Sequence, residues 1–168
     1  QLHGNDVLIE ERIIPPALPQ FRNPYTGEKI GDNLDYNFRV LVTADQASPQ
    51  IIDAELRYRE NDEVAEPVNI SNEAQAVSLD VLKNPELVEK IYEAAQQATR
   101  ALLTNTQIPG MKLFEFLGID LMVDEHGEVF VIETNAGAVG GIGTLSRLNG
   151  KIPQGISDVL ISSAEDYL

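Results

Sequence analysis

The sequence predicts an α+β fold, an antiparallel sheet flanked by helices, and three observations predict it. Short apolar-rich runs of strand length occupy the first third of the chain, one long segment repeats its apolar residues at helical spacing, and two further apolar-rich runs meet across a His-Gly pair. The resulting order of strands, helix, hairpin and helix suits strands paired with their neighbours rather than alternating βαβ units. With 168 residues, 43% of them hydrophobic, residues 1–168 suffice for a single domain with a real core.

The first expected strand, Asp6 to Ile14, is closed by Pro15 and Pro16, which fix the backbone dihedral and supply no amide donor. Residues 15–36 mix Pro, Gly, Asn and Tyr without periodicity and read as a long loop, a feature often tied to function. Asn37 to Ala44 and Gln50 to Tyr58 read as strands separated by the Ser48-Pro49 turn. Asn84 is placed to cap a helix and Pro85 to occupy its first position. Leu87, Ile91, Ala95, Ala98 and Leu102 then form one apolar face, which predicts a helix to about Thr104, before the Pro109-Gly110 stop. Met111 to Phe116 reads as helical or irregular, and Ile152 to Leu168 as a closing helix.

A formal charge of −15 sets an acidic field against binding nucleic acid or an anionic membrane through a basic surface. Any phosphate must be met by a few placed cations or by a metal. The absence of cysteine removes disulfides, zinc thiolates and thiol nucleophiles. No secretory leader or membrane-length apolar run is present in the sequence, so the cytoplasm is the expected compartment. The chain starts at Gln1, close to a strand-like run, as expected of a fragment of a longer protein.

The run GIDLMVDEHGEVFVIETN carries the most chemistry. If His126-Gly127 is a two-residue turn, Leu117 to Asp124 and Glu128 to Asn135 pair so that Asp120 lies opposite Glu133, with Asn135 on the same face. Like charges placed opposite each other repel, so this register calls for a compensating cation, and three oxygen donors suit magnesium or manganese. On this argument Asp120→Asn leaves the fold intact or steadier while weakening the metal site. The competing reading shifts the register by a bulge and turns the carboxylates to water.

This hairpin closely resembles the metal-binding hairpin of ATP-grasp enzymes, in which a strand bearing Asp is followed by a turn and a strand ending Glu-x-Asn. Other segments resemble the carboxy-terminal part of that fold in the same order. VLIEERI is similar to the adenine hinge, which implies nucleotide contacts around Glu10, Glu11 and Ile13. NFRVLVTAD is similar to a strand whose Arg, here Arg39, reaches phosphates by charge-assisted hydrogen bonds. ELRYRENDEVAEPVNIS resembles a segment bearing an Arg and a loop Asn; it offers Arg57 and Arg59, with Arg59 preferred on position, and Asn69. Glu73-Ala74 departs from the glycine-rich pair that relatives carry there, and AGAVGGIGTL stands where they have a small-residue acceptor loop.

The resemblance implies an ATP- and Mg2+- (or Mn2+-) dependent carboxylate-amine ligase of the glutathione synthetase type, working through an acyl-phosphate. Asp120, Glu133 and Asn135 would hold metal, and Arg39, Arg59 and Asn69 would face the transferring phosphoryl group. Small-molecule or peptide carboxylates and amines would be the substrates, with no nucleic acid or membrane partner. The lysines and flap of the amino-terminal ATP-grasp portion have no counterpart in the sequence, so the isolated chain is expected to be inactive. A non-catalytic nucleotide- or metal-binding module and a structural calcium-binding domain are the alternatives.

Overall fold

The computed structural model describes residues 34–44, 47–60, 74–105 and 116–136, with Ile13, Pro15, Pro16, Leu18, Arg22, Gly27 and Lys29. Five strands form one sheet: β1 (Leu34–Thr43), β2 (Ile51–Glu60), β3 (Gln75–Ser78), β4 (Phe116–Val123) and β5 (Val129–Ala136). Their spatial order is β3-β2-β1-β4-β5, and every neighbouring pair is antiparallel. Helix α1 (Pro85–Asn105) carries the chain from the β3 side of the sheet to β4. The α+β class is therefore observed, with one α-helix among the described residues. The expected strand before Pro15 and the closing helix from Ile152 fall outside them, except that Ile13 is half-buried and in no strand.

Strand alternation explains the core. Tyr36, Phe38, Val40 and Val42 of β1 share a face with Ala54, Leu56 and Tyr58 of β2 and Leu117, Ile119, Leu121 and Val123 of β4. Helix α1 covers this face with Ile91 and Ala95, both fully buried, and with Leu87, Ala98 and Leu102 at its margins. These are the five positions whose spacing predicts the helix. Its start also follows the sequence: the Asn84 side chain accepts a hydrogen bond from the Leu87 amide at 3.2 Å, and Pro85 opens the first turn. Thr99, fully buried one turn beyond Ala95, spends its hydroxyl on the Ala95 carbonyl at 2.9 Å.

Two boundaries move. β1 begins at Leu34, so the stretch expected to loop through 36 already pairs with β2, Leu34 lying opposite Glu60. Tyr36, assigned to that loop, is buried, and its hydroxyl donates to the Pro16 carbonyl at 2.8 Å. Within the loop, Arg22 and Lys29 form an isolated antiparallel bridge. β3 is an addition to the expected strands; it is four residues long, with only Ala76 and Val77 buried.

The β4–β5 turn is a correction. His126-Gly127 does not form a two-residue turn. The Gly127 amide donates to the Asp124 carbonyl and the Asp124 amide to the Glu128 carbonyl, both at 3.0 Å, which encloses three residues. Asp124 also accepts the His126 and Glu128 amides on its carboxylate, each at 2.9 Å, closing an Asx turn. Gly127 takes the left-handed conformation at φ 79° with no neighbour near a would-be Cβ, so strain alone opposes a side chain there. Gly127→Ala is expected to cost about 1 kcal/mol, the penalty of an L-residue in that region, measurable as a lower urea midpoint at unchanged slope.

Candidate functional site

The second face of the sheet carries buried charged residues beside the buried apolar Leu41 and Phe116. One row crosses all five strands, Ser78 opposite Glu55, Glu55 opposite Arg39, Arg39 opposite Asp120 and Asp120 opposite Glu133. Arg57 lies one step along β2 from Glu55 on the same face. Within this group Glu55 is 0% exposed, Arg57 3%, Asp120 8% and Arg39 9%. Four charged side chains withdrawn from water at this cost must neutralise one another or serve a ligand.

Their contacts show how the charges are met. Arg39 grips Asp120 with two parallel donors, Nε to Oδ1 and Nη2 to Oδ2, the second at 2.6 Å. Such a fork is the strongest ordinary ion-pair geometry. Asn135 donates from Nδ2 to Asp120 Oδ2 at 3.1 Å, and its direct partner Gly118 puts no side chain between them. Arg57 donates from Nε to Glu55 Oε1 at 2.5 Å, and its Nη1 lies 4.0 Å from Asp120 Oδ1. Glu55 Oε2 has no hydrogen-bond partner. Burial pushes the Glu55 carboxyl above its usual range, against the opposing pull of the Arg57 and Arg39 guanidinium groups.

Asp120 and Glu133 do sit opposite each other, but by two offsetting departures from the simple count. The three-residue turn displaces the register by one, and a bulge that leaves Ile132 as the extra residue between Val131 and Glu133 restores it. Glu133 remains exposed. The cation demanded by the repulsion argument is present in the protein itself as Arg39, so Asp120 is charge-compensated without a metal. The expectation that Asp120→Asn spares or steadies the fold is reversed for this reason. Among the described residues, no three His, Asp or Glu side chains converge as a ready metal cage.

Arg39 thus stands beside the predicted metal residues. Arg59 lies one step further along β2, opposite Asp35, and Arg57 rather than Arg59 reaches the Asp120 carboxylate. What sequence reasoning missed was Glu55, whose single signal is a carboxylate two residues before Arg57 in a strand otherwise rich in core residues. Glu10, Glu11 and Asn69 lie outside the described residues; Ile13 is half-buried and belongs to no strand.

The buried acids make stability depend on pH. Burial raises Asp53, with Asp80 adding to the effect against the Ala54 amide, and it raises Glu55 as described. A carboxyl whose folded pKa exceeds its unfolded value contributes stability that is full below the unfolded value and lost as pH rises through the folded one. Asp124 runs the other way: the Glu128 amide foremost among its hydrogen bonds holds it low, so its contribution disappears only in more acidic solution. The metal-free chain is therefore expected to show a higher urea midpoint near about pH 5 than near about pH 7, and Glu55→Gln should flatten that difference. A midpoint that is lower at the more acidic of these two values would contradict the assignment.

No protein-family model matches this chain, and no curated protein matches it in sequence. Among the described residues, no helix is long and apolar enough to cross a membrane.

Proposed function

We propose that the chain forms the carboxy-terminal, metal-binding part of an ATP-grasp ligase that joins a carboxylate to an amine through an acyl-phosphate. The observation that carries this reading is the placement of Arg39 against Asp120, with Asn135 bonded to the same carboxylate and Glu133 opposite it. A guanidinium and a set of oxygen donors lie side by side on one sheet face, which is what phosphoryl transfer from a metal-bound nucleotide requires.

The donor set fits a hard divalent cation. A carboxylate offers about four lone-pair positions, so Asp120 has the acceptor capacity for a hard cation once the charge of Arg39 is met elsewhere. Asn135 can present its amide oxygen after rotation, and Glu133 stands exposed beside them. Bound there, magnesium would neutralise charge on the ATP oxygens. Arg39 and Arg57 would set positive charge beside the transferring phosphoryl group, and Arg59 and Asn69 extend the same proposal toward the acceptor. No protein nucleophile is needed, because catalysis consists of positioning and electrostatic stabilisation. The adenine contacts around Glu10, Glu11 and Ile13, the cytoplasmic setting, the amino-terminal partner portion and the acceptor chemistry belong to this proposal.

Manganese is the probe. Water-proton relaxation of the 168-residue chain with Mn2+ and a non-hydrolysable ATP analogue should show each ligand strengthening the other by about tenfold, a typical coupling energy. Glu133→Gln, at an exposed position that cannot upset the core, should abolish that coupling. A cation site indifferent to nucleotide would sink the ligase reading and favour structural calcium.

A further inference from the structure

We infer that Glu55 is a positioning residue whose free oxygen receives Arg39 when Asp120 is taken up by a divalent cation. The inference rests on the metal site proposed above and adds a group to it that the hairpin does not contain.

Arg39 sits on the central strand with a carboxylate opposite it on each side, Asp120 on β4 and Glu55 on β2. The two carboxylates are in different states. Asp120 is already charge-paired, both oxygens receiving Arg39 and one also receiving Asn135, with Arg57 close by. Glu55 is fully buried and uses only Oε1, on Arg57; Oε2 has no donor. A wholly buried carboxylate oxygen without a donor is costly, and natural proteins seldom keep one without a use.

Asp120 in its present state is a poor cation ligand, because Arg39 neutralises it and presents positive charge to any approaching ion. Release of Arg39 into water is blocked by burial, so it needs a second anionic partner within the same face. Glu55 is that partner, one strand spacing away, about 5 Å between backbones. The exchange conserves charge inside the buried group: Arg39 leaves one carboxylate for another, and the charge uncovered on Asp120 becomes available to the cation. Asn135, already bonded to Asp120, is placed to follow the same change. Arg57 stays on Glu55 Oε1 and keeps that side chain from turning away.

The test uses the full 168-residue chain with Mn2+ or Mg2+ alone. On saturation with Mg2+, the Arg39 Nε–H resonance should shift in the wild type and stay in place in Glu55→Gln. Glu55→Gln should also weaken Mn2+ binding by about tenfold, the worth of one charge-assisted hydrogen bond, while Glu55→Asp retains most of it. Arg39→Gln, which removes the competitor for Asp120, should tighten Mn2+ binding. A merely structural Glu55 would alter stability and leave the metal affinity and the Arg39 signal unchanged, and that result overturns the inference. Wild-type binding of Mn2+ with an unmoved Arg39 signal sinks the exchange alone; failure of the wild type to bind Mn2+ sinks the metal site as well. Should Glu55→Gln fail to fold, the wild-type resonance and Arg39→Gln still decide the matter.

Discussion

Asp120→Asn is expected to destabilise the metal-free protein by about 3 kcal/mol, the cost of removing one partner from a buried ion pair. The variant keeps an amide where the carboxylate stood, but it removes the charge that faces Arg39 and, at 4.0 Å, Arg57. Both guanidinium groups are nearly fully withdrawn from water, so solvent cannot replace the lost charge. The amino group of the introduced amide would also have to avoid the Arg39 donors and the Asn135 Nδ2, which points at Asp120 in the wild type. Relief of repulsion from Glu133 is a small gain by comparison, since Glu133 is exposed and screened. Removing both charges in Arg39→Met with Asp120→Leu should recover much of the loss, because a buried pair replaced by apolar groups of similar volume is often neutral. Urea unfolding in the presence of a chelator measures the wild type and both variants. If Asp120→Asn is neutral or stabilising, the Arg39 fork is not carrying the charge and repulsion dominates after all.

The elements governed by local chemistry are readable from the sequence, and those governed by distant pairing are not. Asn84-Pro85 and the spacing of Leu87 to Leu102 are short-range signals, and α1 follows them. The Arg39–Asp120 pair joins residues 81 apart, and nothing near either one announces that β1 lies beside β4. The hairpin is an intermediate case. A three-residue turn alone would set Asp120 opposite Ile132; the Ile132 bulge returns it to Glu133. Neither departure has a distinctive residue pattern, because Asp124 fits a strand end as well as an Asx turn, and Val-Phe-Val-Ile shows no break where the bulge falls. β3 escapes detection because four residues with two buried side chains give too little alternation. Likeness of position favours Arg59 over Arg57; strand phase puts both on the Glu55 face, and Arg57, the nearer by one step, is the one that pairs with Glu55 and reaches toward Asp120.

Phe38→Ala is expected to cost about 3–5 kcal/mol, the range for deleting a buried aromatic ring. Phe38 lies on β1, the middle strand, fully buried, with Leu56 opposite it on β2 and Leu121 on β4. Val77 and Val131 extend the same row to the outer strands. Its ring meets Tyr36 edge-on, 5.7 Å between centroids at 76°, an arrangement worth about 1 kcal/mol beyond burial. Against a typical domain stability of about 5–15 kcal/mol, this loss removes a large share. Phe38→Leu, which refills most of the volume, should lose less than about half as much. The position also separates core from site, because Arg39 is the next residue and points to the opposite face. If the two faces act independently, the folded fraction of Phe38→Leu binds Mn2+ as the wild type does, while its urea midpoint falls. A Phe38→Ala cost well below this range would mean that α1 and the sheet close over the lost ring; an Mn2+ affinity that falls with Phe38→Leu would mean that core packing fixes the placement of Arg39.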